Sequence, residues 1–376
     1  MSSIYPQIDP DGLMEYSVVY TDRALNHMSR TFQEIMREIS STLKVVYKAN
    51  VVAVVPGSGT FGMEAVARQF AVDKKCLVIR NGWFSYRWTQ IFKAGNIPAK
   101  EIVLKARQTG RETTAPFIPP PVDEVVAAIQ KEKPDLVFAP HVETSSGMIL
   151  PDEYIQMVGH AVREAGGLFV LDCIASGTVW VDMKQAAVDI LISAPQKGWS
   201  GTPCAALIMM NDRARQQLDN TSSNSFACDL AKWLWIMEMY ENGGHAYHAT
   251  MPTDGLGAFS DAMNELKQLG FEPARSKQVE LGANVRSLLA KKGFESVAAD
   301  GYEAPGVVVC YTDDPMIKNG SKFAELGIQI AAGVPLQCGE PEGFSTFRLG
   351  LFGLDKLQDI TGTVARLENA MDKILT

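Results

Sequence analysis

An acidic residue and a lysine each follow a short apolar segment whose composition predicts a buried strand. Asp172 stands at the end of the segment that begins at Leu168, and Lys197 comes shortly after the segment at 189–192. If both strands belong to a parallel sheet, their ends meet at one edge and the two side chains lie close together. A carboxylate can hold a proton on a basic ring nitrogen, and a primary amine can form a Schiff base with an aldehyde. Pyridoxal 5'-phosphate (PLP) is the cofactor that needs both groups.

Each member of this pair also has an ordinary structural explanation. An acid at a strand end is more often a helix cap, and a single lysine is more often exposed to solvent. Lys197, however, lies between two apolar segments, in a turn that contains glycine and serine. Burial there would lower the pKa of the amine and favour the neutral form that a Schiff base requires.

A glycine-rich segment at 57–62 follows an apolar strand and begins a helix, so its backbone N–H groups could bind a phosphate. The segment also matches the GxGxxG pattern of dinucleotide-binding proteins. Those proteins need an acidic residue near the end of the next strand, whereas here that strand leads into Arg80 and Asn81. An NAD(P)-binding oxidoreductase is therefore a weaker alternative than a PLP enzyme.

Three further segments could contribute to a site. Segment 81–87 is rich in aromatic residues, which could stack on a flat heterocycle or fill the core. Segment 141–147 offers an imidazole, a carboxylate and hydroxyl groups, or it could simply cap a helix. Arg348 lies in a largely apolar strand-like segment and needs an anionic partner, either an internal acid or the carboxylate of a substrate.

Apolar strands that alternate with amphipathic helices predict an α/β fold with a mostly parallel central sheet covered by helices. The strands are expected at 51–56, 76–80, 101–104, 136–140, 168–171, 189–192 and 205–210, and the helices at 28–46, 60–70, 86–94, 123–131 and 152–165. After residue 257 the pattern changes to helices at 258–269, 278–291 and 356–375 and strands at 306–311 and 347–350. We therefore expect a large cofactor-binding domain with its N-terminal segment at 1–257 and a smaller α/β domain at 258–376.

The chain has 376 residues, of which 46% are hydrophobic and 21% charged, and its net charge is −8. This acidic balance argues against nucleic acids and anionic membranes as partners. We find no apolar stretch of membrane-spanning length and no signal-peptide pattern. The six cysteines show no CxxC spacing, which favours a cytoplasmic location, and His245 and His248 lack the further ligands of a metal site.

Taken in order, these motifs resemble the class-V aminotransferases, PLP-dependent enzymes of fold type I, and most of all their alanine–glyoxylate and serine–pyruvate branch. The most specific match is the segment 193–198 around Lys197. The resemblance implies that Lys197 forms the Schiff base and that Asp172 pairs with the pyridinium nitrogen. It also implies transfer of an amino group from a small amino acid to a 2-oxo acid, with glyoxylate or pyruvate expected first.

The resemblance assigns further contacts residue by residue. The expected phosphate-binding turn is Ser58, Gly59 and Thr60, and the expected contacts to the cofactor ring are Phe84 (with Trp83 as the alternative stacking residue), Thr144, Ser145, Ser176 and Gln196. Tyr247 and Thr250 match a segment that reaches the phosphate of the partner subunit, which implies a homodimer with shared active sites. Arg348 matches the arginine that binds the substrate carboxylate.

Two departures and one rival reaction remain open at this point. The family often carries a Gly-Pro-rich stretch and a Gly-His-Arg-Ser motif near the substrate, whereas this chain has different residues at 9–12 and 26–29. A PLP-dependent lyase or desulfurase of the same fold is the nearest alternative. Desulfurases need a cysteine on a mobile loop, for which Cys338 is the candidate, but they usually have histidine where this chain has Gln196.

Overall fold

The computed structural model describes residues 15–21 and 23–375, so segment 9–12 lies outside the described residues. The helices are α1 (Arg30–Tyr47), α2 (Gly59–Phe70), α3 (Trp83–Gly95), α4 (Val122–Glu132), α5 (Asp152–Ala165), α6 (Asp212–Leu218), α7 (Leu230–Glu241), α8 (Thr253–Leu269), α9 (Phe271–Lys291), α10 (Pro315–Lys318), α11 (Ser321–Ala324), α12 (Leu354–Gln358) and α13 (Ile360–Leu375). The strands are β1 (Val51–Pro56), β2 (Lys75–Arg80), β3 (Lys100–Lys105), β4 (Arg107–Gln108), β5 (Phe117–Ile118), β6 (Leu136–Pro140), β7 (Val142–Glu143), β8 (Met148–Ile149), β9 (Leu168–Asp172), β10 (Ile190–Ser193), β11 (Ala205–Met210), β12 (Val307–Tyr311), β13 (Ala331–Ala332) and β14 (Thr346–Gly350).

The largest sheet has seven strands in the order β1-β11-β10-β9-β6-β2-β3. Strand β11 runs antiparallel to both of its neighbours, and all the other pairs are parallel. The central strands β6, β9 and β10 are buried over their whole length, as expected for a sheet covered by helices on both faces. The mostly parallel α/β fold predicted from the sequence is thereby confirmed.

Because six of the seven strands point the same way, their carboxyl ends lie along one edge of the sheet. The glycine-rich segment 57–62 follows β1, the aromatic segment 81–87 follows β2, and the polar segment 141–147 follows β6. Asp172 ends β9, and Lys197 lies in the connection between β10 and β11. The topology thus carries every cluster up to Lys197 to one edge, where open α/β sheets bind their ligands.

A second sheet of three strands, in the order β12-β14-β13, supplies the other side of the site. Both of its pairings are antiparallel, and Arg348 on β14 stands opposite Val309 on β12 and Ala331 on β13. The arginine is therefore held on the central strand of this small sheet. The predicted domain boundary at 257/258 falls within α8, and the division into two domains stays a prediction.

The sequence prediction was wrong about the last helix and about the start of α3. Residues 354–375 form two helices, because Asp359 leaves the helical conformation (φ −134°, ψ 70°). Its carboxylate accepts a hydrogen bond from the backbone N–H of Gly362 (2.9 Å), as a residue at a helix start does. Helix α3 begins at Trp83 rather than Tyr86, and helices α6 and α7 were not predicted.

None of the helices at 15–21 and 23–375 is long and apolar enough to cross a membrane. Within the same residues, no group of three or more His, Cys, Asp and Glu side chains is arranged so that it could hold a metal ion.

Candidate active site

A cavity of about 390 Å³ lies at the carboxyl edge of the large sheet and is closed on another side by the small sheet. Nine of the residues predicted from the sequence line it, namely Ser58, Gly59, Thr60, Phe84, Thr144, Asp172, Gln196, Lys197 and Arg348. The four other predicted residues, Ser145, Ser176, Tyr247 and Thr250, lie outside this lining.

Lys197 reaches the cavity from a tight turn between β10 and β11. The backbone N–H of Ser200 donates to the Lys197 carbonyl (3.0 Å), and that of Gly201 donates to Pro195 (2.9 Å). The Lys197 ammonium lies 5.2 Å from the centre of the Phe352 ring. Burial lowers the pKa of this amine, and the neighbouring positive charge of Arg348 lowers it further. Both effects shift the equilibrium towards the neutral amine, which is the nucleophilic form.

The lysine turn is packed against the loop that follows Asp172. A side chain at Gly198 would place its Cβ only 1.8 Å from the carbonyl oxygen of Gly177, so the two backbones touch. On the other side of the turn, Trp199 is fully buried, and its ring lies 4.7 Å from that of Trp180. These contacts hold the backbone on either side of Lys197 in place.

Asp172 ends β9 between the strands β6 and β10 and is 7% exposed. One carboxylate oxygen accepts the backbone N–H of Ile174 (2.9 Å). Burial raises the pKa of Asp172 to about 7, with a smaller contribution of the same sign from Glu143 and an opposing one from Arg87. A cationic partner inside the cavity would favour the ionised carboxylate.

The turn at Ser58 brings the start of α2 into the cavity. Ser58 is the residue before the helix, yet its side chain makes no capping hydrogen bond. The first turn of α2 contains no acidic residue, so the partial positive charge of the helix start is not opposed within that turn. A free hydroxyl, N–H groups and the Thr60 side chain at a helix start suit an anion such as a phosphate.

Phe84, and not Trp83, lines the cavity. The Phe84 ring lies 5.1 Å from the guanidinium of Arg87 and 5.6 Å from that of Arg348. The Trp83 ring instead packs against Tyr86, at 5.8 Å between centres. Of the two stacking residues left open by the sequence, this placement favours Phe84.

Glu143 fixes the start of α3 and thus the position of Phe84. The carboxylate is fully buried and accepts hydrogen bonds from the backbone N–H groups of Phe84 (3.2 Å) and Ser85 (2.8 Å). It also accepts from the Ser145 hydroxyl (2.7 Å). A side chain at Gly82 would collide with Ser145 and with Glu143 itself, at 2.0 Å and 2.7 Å, so glycine is needed there. A carboxylate at a helix start is favourable in both charge and geometry.

The hydroxyls of Ser145 and Ser176 are engaged within the protein. Ser145 accepts the backbone N–H of Trp83 (2.8 Å) in addition to its bond with Glu143. The Ser176 hydroxyl lies 2.7 Å from Nδ1 of the buried His141. Both serines therefore support the residues around the cavity, and their direct contact with a cofactor stays a prediction.

Arg348 points a half-buried guanidinium into the cavity. Its Nε donates to the carbonyl of Ala332 on β13 (2.8 Å), which fixes the plane of the group. Among the described residues no carboxylate lies within ion-pair distance of it, so the internal salt bridge considered from the sequence does not form there. The remaining N–H groups are suited to bind a carboxylate through two hydrogen bonds, one to each of its oxygens.

Tyr247 and Thr250 lie on the surface, where their hydroxyls are 3.1 Å apart. The Tyr247 ring packs near His27, at 5.6 Å between centres, so the divergent segment 26–29 supports this surface rather than the cavity lining. Ser29 of that segment also caps α1 by accepting the N–H of Phe32 (3.1 Å).

The sequence model of the family described as Aminotransferase class-V matches residues 12–341. The chain belongs to the class-V aminotransferase family. This finding confirms the resemblance drawn from the motifs and favours a transaminase over the NAD(P)-binding oxidoreductase that segment 57–62 left open.

Relatives and solved structures agree with this assignment. The 2-aminoethylphosphonate–pyruvate transaminase of Syntrophobacter fumaroxidans is 27% identical over 92% of this chain and 90% of its own length. The alanine–glyoxylate aminotransferase of Rattus norvegicus is 26% identical over 74% of this chain and 65% of its own length. The crystal structure of an alanine–glyoxylate aminotransferase from Nostoc sp. has a TM-score of 0.78 at 22% identity and covers 93% of this chain and 89% of its own. The fold of this aminotransferase is thus fold type I of the PLP enzymes.

Among the residues of the site that sequence reasoning missed in this aminotransferase, three contribute a charge or an aromatic ring. Arg87 and Phe352 line the cavity, and the Glu143 carboxylate accepts hydrogen bonds from backbone N–H groups at the start of α3. Arg87 follows Phe84 by three positions, so a helix that begins at Trp83 places both on one face. That spacing could have revealed Arg87 if the start of α3 had been predicted correctly.

The burial of Asp172 makes the stability of the cofactor-free aminotransferase depend on pH. Burial raises the carboxyl pKa from 3.8 to about 7, so between these values the folded protein keeps a proton that the unfolded chain loses. The stability from the protonated carboxyl is complete below about pH 4 and is lost as the pH rises to about 7. Asp172→Asn has no such proton to lose, so its free energy of unfolding relative to the wild type should rise across this interval, by at most about 4 kcal/mol. Urea unfolding at several pH values measures the difference, and a constant difference would contradict the prediction.

Proposed function

We propose that this class-V aminotransferase binds PLP in the cavity through Lys197 and Asp172 and transfers an amino group from a small amino acid to a 2-oxo acid. One observation carries the proposal: a lysine whose pKa is lowered by burial and a buried aspartate line the same cavity of about 390 Å³. The family, in which the named relatives are transaminases, supports it.

Several groups that line the cavity are suited to bind different parts of PLP. Asp172 suits a protonated ring nitrogen, and the start of α2 suits the phosphate. The side-chain oxygen of Gln196 is buried and has no hydrogen-bond partner among the described residues, so it can accept a donor from a ligand. Phe84 offers a flat face for the ring, and Thr144 lines the cavity with it.

When bound, PLP supplies an aldehyde that bonds to amines and a protonated ring that accepts electrons from the carbon next to the amino group. Asp172 keeps the proton on the ring nitrogen, and its burial strengthens this charge pair. With the cofactor bound, the Lys197 amine would accept a proton from the substrate carbon that bears the amino group and would later return a proton, as a general base and then a general acid. Arg348, which lines the same cavity, would hold the substrate carboxylate and so orient the substrate towards Lys197.

Small residues near Arg348 favour small substrates. Val307, Ala331 and Gly350 line the cavity close to the arginine in the small sheet. We therefore propose glyoxylate or pyruvate as the acceptor, which are the acceptors named for the two relatives described above. Alanine and 2-aminoethylphosphonate are the donors to test first.

The geometry of Cys338 weighs against a desulfurase. Burial and, to a smaller extent, nearby acidic residues together raise the pKa of its thiol to about 12, so the thiolate that would attack sulfur is scarce. The thiol points to the carbonyl oxygens of Arg80 (3.4 Å) and Leu336 (3.6 Å), and Cys338 does not line the cavity.

Lys197→Ala tests the function. With PLP and sodium borohydride, the wild type and the surface control Lys184→Ala should retain the cofactor covalently, whereas Lys197→Ala should not. Transfer of the amino group from alanine to glyoxylate should fall by about a thousandfold or more in Lys197→Ala, because both the amine and the proton carrier are lost. The absorbance of the protein measures the retained cofactor, and product formation measures the transfer of the amino group. Full turnover in this variant would refute the assignment, and release of sulfide or another lyase product without pyridoxamine phosphate would favour the alternative reaction.

Arg348→Gln tests the carboxylate site. Loss of charged hydrogen bonds worth about 1.5–3 kcal/mol should weaken binding of the 2-oxo acid by about 10- to 100-fold, and Arg348→Lys should lose less. KM values for glyoxylate and pyruvate measure the effect, with Arg366→Gln on the surface of α13 as the control. An unchanged KM for both acceptors would exclude Arg348 from substrate binding.

We also propose a homodimer in which Tyr247 and Thr250 of one subunit reach the phosphate site of the other. Tyr247 is 49% exposed, and two other large aromatic side chains, Phe61 beside the phosphate turn and Phe226 against His248, are 51% and 77% exposed. Exposed aromatic residues of this kind are enriched where a partner binds.

Mixed dimers test the sharing of sites. Lys197→Ala and Tyr247→Ala should each be impaired as homodimers. Refolding the two proteins together should restore activity, since one site of each mixed dimer then combines an intact Lys197 with the intact Tyr247 of the other subunit. No gain over the separate variants, or a monomer in sedimentation velocity with full activity, would contradict shared sites.

A further inference from the structure

Arg87 is a positive charge in the cavity for which the proposed function has no use so far. It lies one turn into α3 and belongs to the lining together with Lys197 and Arg348. Among the described residues that form this lining, Asp172 is the one acid. If the lysine is neutral, two guanidinium groups still face one carboxylate, so the cavity has a surplus of positive charge.

The position of Arg87 is set by contacts on two sides. Its Nη1 donates to the Thr60 hydroxyl (2.9 Å), at the start of α2. Its guanidinium lies 5.1 Å from the centre of the Phe84 ring, which belongs to the same face of α3. A planar group that is stacked on a ring and bonded to a hydroxyl is held in one orientation, with its other N–H groups left for a ligand.

Within the described residues, Arg87 has no carboxylate within ion-pair distance. Asp172 is near enough for the two charges to interact, but it forms no hydrogen bond with Arg87. The first turn of α2, which Arg87 contacts, also contains no acid. A half-buried guanidinium without a counter-ion beside a helix start is a site for an anion.

We propose that Arg87 binds the phosphate of PLP from the side, together with the N–H groups at the start of α2. The inference rests on the proposed function, since it assumes that PLP occupies the cavity. A phosphate carries close to two negative charges, while a helix start offers only about half a positive charge. Arg87 supplies a full charge of its own, and its bond to Thr60 places that charge at the phosphate turn.

The substrate is the other anion that could pair with Arg87. Arg348 already provides a guanidinium for a substrate carboxylate and lies on a different element, 5.6 Å from the Phe84 ring. Arg87 is the one that is bonded to Thr60 of the phosphate turn. The position of Arg87 therefore favours the cofactor phosphate.

Comparison of PLP with pyridoxal, which lacks the phosphate, tests the inference. The full-length protein is stripped of cofactor, and the dissociation constants of both compounds are measured by equilibrium dialysis for the wild type, Arg87→Gln and Arg87→Lys. Arg87→Gln should bind PLP about 10- to 100-fold more weakly, with less than about a twofold change for pyridoxal. Arg87→Lys should lie between this variant and the wild type, because it keeps the charge but not the planar group.

Arg68→Gln is the matched control, because Arg68 is a half-buried arginine at the far end of α2 that pairs with Glu64. It should leave both dissociation constants unchanged. Equal losses for PLP and pyridoxal in Arg87→Gln, or no loss for either, would overturn the inference, and so would a change in substrate KM alone. If the wild type itself bound neither compound, the proposed function would fail, which is a distinct result.

Discussion

The contact between the backbones at Gly198 and Gly177 is the constraint on which the site depends. It leaves no room for a side chain at position 198, so the loop with the lysine lies directly on the loop that follows Asp172. The two loops follow the adjacent strands β9 and β10, and the register of these strands determines where along the sheet each loop begins. The amine and the carboxylate therefore share one cavity because of strand pairing and one close approach, without any direct bond between them.

The strand-end residues could be predicted because parallel pairing depends on local apolar segments that the sequence shows plainly. The start of α3 could not, since it depends on Glu143, a residue about sixty positions away whose carboxylate binds the first N–H groups of the helix. Because the predicted helix began too late, the sequence did not show whether Trp83 or Phe84 enters the site. For the same reason it did not place Arg87 on the same face of α3 as Phe84. The break at Asp359 was missed for a different reason, because the apolar spacing continues across it.

Burial and charge also link the parts of this site. Burial lowers the pKa of Lys197 and raises that of Asp172, so in the protein alone each group tends towards its neutral form. An anionic cofactor with a basic ring nitrogen, as proposed, would reverse the second effect and balance the arginines. The cavity would then be complementary to the overall charge pattern of the proposed ligand.

The antiparallel strand β11 has a consequence for motion. Because β11 pairs with β10 and with β1, the segment that carries Lys197 is the connection of a hairpin anchored at both ends, with Trp199 buried between them. In the proposed reaction the amine would nevertheless have to leave the cofactor and return in every cycle. That displacement would then fall to the rotatable bonds of the lysine side chain, without any opening of the loop that carries it.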